Sequence, residues 1–374
     1  MNDMRHGLAT LLVIAVTTAA LLPLAGVAGV DEASPQYRDA AARHIARGTL
    51  PFAVSEALQI RKLCVEGPQM VALVHDSIVH FDLRQASPSA AYAELLPFRI
   101  VDVACGDPEH MHILALSWPE GRLYSIANKP DAPWPGWRRS DALPLLKDET
   151  PLGYVEGDDE LRVLTTHRLL TLKGDKVAKA TTLSARLEPT VLARVAIRRA
   201  GSDIYFGNDG GEWGGTLYRI DEASGTVSLV DVGAPVVSVI ADADHPACVL
   251  VARAVAHFGV QDGGLLRACH ATTQILVEHE PVWGVAGTRP VFVAFSRDIG
   301  ELKGDSVVDR HAFPSGDTTA AGLRYARLPD AMLVTTGISQ SVSLSGLTPM
   351  LVTWDGQAKT APASAQSPPG AQVK

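Results

Sequence analysis

The chain has 374 residues, of which 47% are hydrophobic and 20% are charged, and its formal net charge at pH 7 is −8. This apolar content is sufficient for a packed core and is unlike that of a disordered chain. Because its lysines and arginines form no cluster, the acidic balance argues against nucleic acids and anionic membranes as partners. The length fits two ordinary domains or one large repeat array.

The first 28 residues are interpreted as an export signal peptide. Arg5 precedes an apolar run at residues 8–24, and Gly26-Val27-Ala28 supplies small residues at the spacing of a cleavage site. The pattern predicts a mature chain that begins near Gly29, resides in the periplasm or outside the cell, and does not insert into a membrane. The alternative is an uncleaved anchor, since residues 8–30 are long enough to span a bilayer.

Two segments flank the main domain that we predict at residues 58–356. The segment 29–57 contains an alanine-rich stretch at 35–47 that predicts a short helix, followed at 48–54 by a possible strand for closing the domain. Residues 357–374 are rich in alanine, proline, serine and glutamine and are predicted to be a disordered tail.

The predicted main domain is a repeat of β-strands. Its clearest part is residues 203–232, where three strands with period-two alternation are separated by the turns NDGGEWGG and EASG. Strands similar to the first of these recur at intervals of 40 to 49 residues. They are MVALV from Met70, HILAL from His112, LRVLT from Leu161, DIYFG from Asp203, CVLVA from Cys248, VFVAF from Val291 and AMLVT from Ala331.

Each of these strands has an apolar strand before it, which we predict to be the innermost of its repeat, and a turn with a third strand after it. Fourth, outermost strands are assigned to AYAELL from Ala91, KVAKATTL from Lys176, TVSLVDV from Thr226 and MLVTWD from Met350. Four strands in a period of about 44 residues are typical of a β-propeller blade. We therefore predict an all-β propeller with seven four-stranded blades, or six if the weak repeat after Leu302 merges with its neighbour.

In such a ring, the turns between second and third strands lie on the same face as the connections between blades, where ligands usually bind. This face would carry Arg253 and the turn NDGGEWGG, which has four glycines where two residues would suffice. Its predicted ligand-binding residues are Asn208, Asp209, Glu212 and Trp213, because an indole beside carboxylates suits a sugar or a cation. Alternatively, Trp213 folds over the neighbouring blade and Glu212 caps backbone amides.

The four cysteines are an even number, which export would allow to form disulfides. Cys64 and Cys105 end equivalent innermost strands of consecutive repeats, so they are the expected pair. Buried free thiols are the alternative. No Cys-x-x-Cys motif is present, so zinc binding and dithiol redox chemistry have no support.

Two resemblances to known families are visible. LYRIDEASGTV, residues 217–227, resembles the strand–turn–strand unit of bacterial quinoprotein-like propellers, but the other repeats lack the inward tryptophan of quinoprotein dehydrogenases, so a quinone is not implied. Glu66-Gly67-Pro68 and the glycine-rich residues 205–221 resemble motifs of the gluconolactonase and regucalcin family. That resemblance implies Glu66 as a metal ligand.

The sequence contains no Gly-x-Ser-x-Gly, His-Glu-x-x-His or Gly-Lys-Ser/Thr motif. We therefore expect an exported, non-catalytic propeller without a cofactor, which binds a small molecule, a glycan or a protein at the face that carries the NDGGEWGG turn. The alternative is a calcium- or magnesium-dependent lactonase or esterase, in which Glu66 and one or two of Asp209, Glu212 and Asp298 hold the cation.

Overall fold

The computed structural model describes residues 60–353, apart from 67–68, 75–76, 83–89, 96–97, 106–110, 118–121, 129–136, 158–159, 175, 190–194, 258–259, 271, 313–318, 328–330 and 339–349. The predicted signal peptide, the segment 29–57 with its helix and closing strand, and the tail at 357–374 lie outside the described residues. Within the described ranges the chain forms β-strands and one three-residue 3-10 turn, Gly211–Trp213.

The described strands form seven antiparallel sheets, six of four strands and one of three, each in chain order. Sheet one contains β1 (Ile60–Glu66), β2 (Gln69–Val74), β3 (Ser77–Asp82) and β4 (Ala90–Leu95). Sheet two contains β5 (Phe98–Ala104), β6 (His112–Ser117), β7 (Leu123–Asn128) and β8 (Trp137–Arg139). Sheet three contains β9 (Pro151–Tyr154), β10 (Arg162–Thr165), β11 (Arg168–Lys173) and β12 (Lys176–Thr182).

Sheet four contains β13 (Val195–Ala200), β14 (Asp203–Asp209), β15 (Gly215–Asp221) and β16 (Val227–Gly233). Sheet five contains β17 (Val236–Ala241), β18 (Cys248–His257), β19 (Val260–Cys269) and β20 (Thr272–Glu278). Sheet six contains β21 (Val282–Gly287), β22 (Val291–Phe295), β23 (Asp298–Lys303) and β24 (Ser306–Ala312). The described strands of sheet seven are β25 (Thr319–Arg327), β26 (Ala331–Ile338) and β27 (Met350–Thr353).

The predicted repeat of four strands is confirmed in six sheets. The second strands of all seven sheets begin at residues 69, 112, 162, 203, 248, 291 and 331, within one residue of the strands predicted from the 40-to-49-residue spacing. The protein is therefore all-β, and its sheets have the strand order of propeller blades.

Two strand assignments were wrong. MLVTWD was predicted to be an outermost fourth strand, but β27 pairs directly with β26, from Met332↔Thr353 to Thr335↔Met350, and is the third strand of its sheet. Arg253 was placed in a turn, but it lies within β18 and pairs with Gly264. A run of alternating residues marks a strand without showing which neighbour it pairs with or how far it extends.

The core lies between the sheets, because the second strands β10, β14 and β22 are buried along their whole length. All seven residues of β14 are buried, so each face of this strand must pack against a neighbouring sheet. Ile204 and Phe206 pack with Leu164 of sheet three, whereas Tyr205, pointing the opposite way, packs with Val249 of sheet five. One strand thus joins three sheets.

The innermost strands form a continuous series of contacts. Each of β1, β5, β9, β13, β17, β21 and β25 contacts the next, and β25 also contacts β1. We call the edge of the sheets that carries the connections between sheets and the second-to-third-strand turns the linker face. The first-to-second-strand turns lie on the opposite edge.

Candidate functional site

The turn between β14 and β15 lies on the linker face and is held by its own backbone. Asp209 accepts a hydrogen bond through Oδ1 from the backbone N–H of Gly211 at 2.7 Å. The N–H of Gly210 donates to the carbonyl of Gly214 at 2.8 Å, and the N–H of Trp213 donates to the carbonyl of Gly210 at 3.3 Å. These bonds define the 3-10 turn and leave the Trp213 side chain at its end.

Two glycines of this turn have backbone conformations that favour glycine. Gly211 has φ of +63° and Gly214 has φ of +87°, both in the left-handed region. At Gly214 the space is also limited, because a Cβ there would lie 2.7 Å from the carbonyl oxygen of Gly233. The glycine content of the turn thus follows from its conformation and its close contact with β16.

Of the four predicted ligand-binding residues, Trp213 is the one that the structure exposes most clearly. Its side chain is 83% exposed, so the alternative in which it folds over the neighbouring sheet does not describe this structure. Asn208 and Asp209 are 3% and 5% exposed, and Asp209 serves the turn itself. The side chain of Glu212 lies outside the described residues. Ligand binding by these residues stays a prediction.

A salt bridge between sheets four and five lies beside the turn. Arg253 of β18 donates through Nη1 to Oδ2 of Asp231 in β16 at 2.7 Å. Gly233 lies between this arginine and the turn, since a Cβ on Gly233 would be 2.6 Å from Nη1 of Arg253. The 3-10 turn contacts β18 itself. Trp213 is therefore anchored to two sheets through backbone contacts while its ring stays in solvent.

The linker face continues from this salt bridge onto sheets five and six with exposed carboxylates. Asp262 and Glu278 are 52% and 64% exposed, and each lies 3.6 Å from a ring nitrogen of His279. Further along, Arg310 donates to both Glu280 and Asp298 at 2.6–2.9 Å. The hydrogen bonds to Glu280 and Asp298 outweigh partial burial and raise the pKa of Arg310.

The residues of the predicted metal site are not brought together. Glu66 pairs with Gln69 at the first turn of sheet one, on the edge opposite the linker face. Asp209 bonds to its own turn in sheet four, and Asp298 is held by Arg310 in sheet six. Among the described residues, no group of three or more histidine, cysteine, aspartate or glutamate side chains is arranged to bind a metal. Glu66 therefore lies on the opposite edge from the other candidate carboxylates, and the calcium or magnesium site stays a prediction.

The cysteines form two disulfides. Cys64 of β1 is joined to Cys105, which follows β5, so this bond links the innermost strands of sheets one and two. Cys248 is joined to Cys269 within the β18–β19 hairpin, where the two residues are direct cross-strand partners. The second pair was not predicted. Its signal was present, because the two cysteines lie at the outer ends of one hairpin.

A buried ion network on the innermost strands was missed by sequence reasoning. Lys62 of β1 lies with its Nζ 3.0 Å from Oδ1 of Asp102 in β5 and 3.0 Å from Oε1 of Glu156, which follows β9. Burial lowers the pKa of Lys62, but attraction to the two carboxylates outweighs this effect and raises it. The network joins sheets one, two and three.

A β-bulge in each of two innermost strands orients Lys62 and Asp102, the first two members of this network. Register shifts precede both Lys62 and Asp102, and similar shifts precede Ser238, Gly284 and Gly322 in later innermost strands. A bulge inserts one residue and redirects the side chain that follows. In sheets five to seven the equivalent residues are small. The charged residues at this position in IRKLCVE and FRIVDVA could therefore have indicated the ion network in the sequence.

Asp102 is the centre of the network. Besides Lys62, its carboxylate accepts hydrogen bonds from the backbone N–H groups of Val103 at 2.8 Å and Tyr154 at 2.7 Å. Gly153 leaves room for it, since a Cβ there would lie 2.7 Å from Oδ2 of Asp102. With its lone pairs occupied by protein groups, this carboxylate has a structural role.

Comparison with known proteins identifies no family. No protein-family model and no curated protein matches the chain. Solved structures with a similar arrangement include the extracellular domain of a hybrid two-component system from B. thetaiotaomicron, with 12% identity and a TM-score of 0.46, covering 80% of this chain and 39% of that one. PorZ, a surface component of the type-IX secretion system of Porphyromonas gingivalis, has 12% identity and a TM-score of 0.47, covering 82% and 38%.

The β-propeller domain of the Trilobed protease from Pyrococcus furiosus has 10% identity and a TM-score of 0.47, covering 82% of this chain and 97% of that domain. The chain spans about two fifths of the length of the two-component-system domain. At these identities and TM-scores, the similarities carry no argument about what this protein does. Within the described ranges, no helix has the length and apolar character required to cross a bilayer.

Proposed function

We propose that this protein is an exported, non-catalytic β-propeller that binds a ligand or a protein partner on its linker face, with Trp213 as the principal contact. In this proposal the seven sheets are seven blades of one closed ring. The contact series of the innermost strands supports closure, because β25 contacts both β21 and β1.

The observation that carries the binding role is the exposed ring of Trp213. A side chain that is 83% exposed stabilises the fold little, yet the turn that presents it is built from two glycines in left-handed conformations and internal hydrogen bonds. Tryptophan is among the residues enriched in the dominant contacts of protein interfaces, and its ring also stacks on sugars and cations. A fixed turn and a free indole are what such a contact requires.

Export is supported by the two disulfides, since disulfides persist in oxidising compartments such as the periplasm and the extracellular space. The proposed signal peptide adds a direct test. N-terminal sequencing of the fractionated protein should give a chain that begins near Gly29 outside the cytoplasm. Recovery of soluble cytoplasmic protein that still begins at Met1 would contradict export.

The binding role is tested by a thermal-shift screen of sugars, peptidoglycan fragments, cations and small acids on the wild type and on Trp213→Ala. We expect a ligand that raises the melting temperature of the wild type alone, while the free energies of unfolding of the two proteins differ by less than about 1 kcal/mol. Ile275→Ala, which truncates a side chain that is 54% exposed on an outermost strand, is the matched control. A Trp213→Ala variant that fails to fold would show that Trp213 stabilises the fold, which would contradict its role as a binding residue.

A further inference from the structure

We infer that the linker face of sheets four to six binds an arginine- or lysine-rich segment of a partner polypeptide, with Trp213 at one end of the contact. This inference rests on the proposed function and names the chemistry of its partner. It is carried by the charges beside Trp213 and by the distance over which they extend.

The charge of this surface is negative. Among the described residues, its partly exposed side chains comprise five carboxylates against three guanidinium groups, with His279 and His311 as further titratable groups. The carboxylates are Asp231, Asp262, Glu278, Glu280 and Asp298, and the guanidinium groups are Arg253, Arg297 and Arg310. A surface of this sign attracts basic segments and repels acidic ones.

Two of the five carboxylates have a histidine rather than an arginine as their ion-pair partner. Arg253 is occupied by Asp231, and Arg310 is shared between two carboxylates. Asp262 and Glu278 form their ion pairs with His279, which carries a charge only when protonated. These two carboxylates, both more than half exposed, are therefore the strongest acceptors for a new cation on this surface.

The surface is continuous and wider than a small cation. From Trp213 it passes through Gly233 to Arg253, and Arg253 pairs across the sheet with Gly264, which pairs with Glu278. Neighbouring strands are about 4.8 Å apart, so the strand of Glu278 lies about 10 Å from that of Arg253. A single ammonium group contacts one of these positions, whereas an extended polypeptide with spaced basic side chains contacts several.

Trp213 complements such a segment directly. A guanidinium group binds the face of an indole through its charge, and the aliphatic part of the same side chain covers the ring edge. The protein contains this geometry elsewhere, where the guanidinium carbon of Arg310 lies 3.8 Å from the ring centroid of Phe295. The exposed indole thus suits the same class of side chain as the neighbouring carboxylates.

The test measures binding of three fluorescein-labelled octapeptides by fluorescence anisotropy at low and high salt. The peptides alternate glycine with arginine, with serine or with glutamate. We expect the arginine peptide to bind most tightly and its affinity to fall as salt screens the carboxylates. The serine and glutamate peptides should not bind measurably under the same conditions.

Variants connect the binding to the named residues. The double variant Asp262→Lys, Glu278→Lys and the single variant Trp213→Ala should each lower the affinity for the arginine peptide by about tenfold or more. Asp244→Lys is the matched control. Asp244 is 64% exposed in the first turn of sheet five, on the opposite edge, and its partner Arg289 is 72% exposed, so this change should alter neither folding nor binding.

Failure of the arginine peptide to bind, or binding that is indifferent to both the charge reversal and Trp213→Ala, would overturn the inference. The same holds if Asp244→Lys weakens binding as much as the double variant does, since the attraction would then belong to the whole acidic chain. A neutral or acidic ligand that binds in a Trp213-dependent way would also overturn it, and would leave the proposed function standing. Loss of the proposed function is recognised separately, when Trp213→Ala changes neither the result of the thermal-shift screen nor the binding of any of the three peptides.

Discussion

The ion network on the innermost strands and the turn that carries Trp213 differ in where their side chains have their partners. In the network, Lys62 and Asp102 are 12% and 13% exposed, and both are held by groups from neighbouring sheets. At the turn, the acidic residue closes its own backbone and the aromatic ring is 83% exposed. The first arrangement has its partners inside the protein, and the second presents a side chain for a partner outside it.

The difference in exposure distinguishes residues that join the sheets from residues that are available for binding. A buried charge that loses its partner is costly, because the remaining charge keeps its desolvation penalty. An exposed side chain loses little when it is truncated. Changes in the network should therefore affect stability, whereas changes at Trp213 should affect binding.

The largest effect is expected from Lys62→Met, which leaves Asp102 and Glu156 without their common cation. We expect the free energy of unfolding to fall by about 3–5 kcal/mol, as measured by urea denaturation. The control is Lys176→Met at the exposed start of β12. Equal, small effects of the two changes would mean that the network is not structural, and the contrast with the turn would disappear.

Removal of the disulfides should come next. Replacing Cys64 and Cys105 with serine opens a loop with a sequence separation of 41 residues, whereas the Cys248–Cys269 pair closes one of 21. The chain-entropy relation predicts losses of about 4 and about 3 kcal/mol. Thermal unfolding of the two double variants should therefore show the lower melting temperature for the pair that joins sheets one and two. The reverse order would indicate that the hairpin of sheet five depends more on its crosslink.

A smaller, pH-dependent effect is expected at Glu149, whose buried carboxylate holds the connection between sheets two and three. It accepts hydrogen bonds from the N–H of Leu146 at 2.6 Å and from Arg168 Nε at 2.9 Å. Burial raises the pKa of Glu149, but the bonds from Arg168 and Leu146 outweigh it, so the pKa lies below its ordinary value of 4.5. We expect Glu149→Gln to lower stability at pH 7 by about 2 kcal/mol.

The sign of the pH dependence follows from that lowered pKa. The ionised carboxylate stabilises the folded state above the unfolded-state pKa, and this contribution is lost as the pH falls through the folded-state value. The difference in unfolding free energy between wild type and Glu149→Gln should therefore shrink as the pH falls from 7 to 3. A difference that stays constant would show that the charge of Glu149 does not contribute.

Effects of similar or smaller size should occur within the turn itself. Gly214→Ala places a Cβ 2.7 Å from the carbonyl oxygen of Gly233, whereas Gly211→Ala meets no atom within 4 Å, although both residues have positive φ. We expect losses of about 2 kcal/mol for Gly214→Ala and about 1 kcal/mol for Gly211→Ala in chemical denaturation. Equal losses would mean that the turn shifts away from Gly233 at little cost. Trp213 would then be less firmly held than the structure indicates.

Strand positions were predictable because they depend on local pattern. The second strands are apolar runs that pack on both faces, so their composition marks them at every repeat, as in VFVAF of β22. The turn at Trp213 was predictable for a similar reason, since four glycines in eight residues indicate special backbone conformations. The extent of β18 and the position of β27 in its sheet were not, because pairing partners lie elsewhere in the chain.

By itself the sequence determined the all-β repeat, its period and the presence of an unusual glycine-rich turn, because side-chain alternation and glycine content act within a few residues. Only the tertiary structure decided that Asp209 serves its own turn, that Trp213 faces solvent, and that Cys248 bonds to Cys269. It likewise brought Lys62, Asp102 and Glu156 together from three sheets. Burial and ion pairing depend on which distant strands become neighbours, and that information arises when the sheets pack.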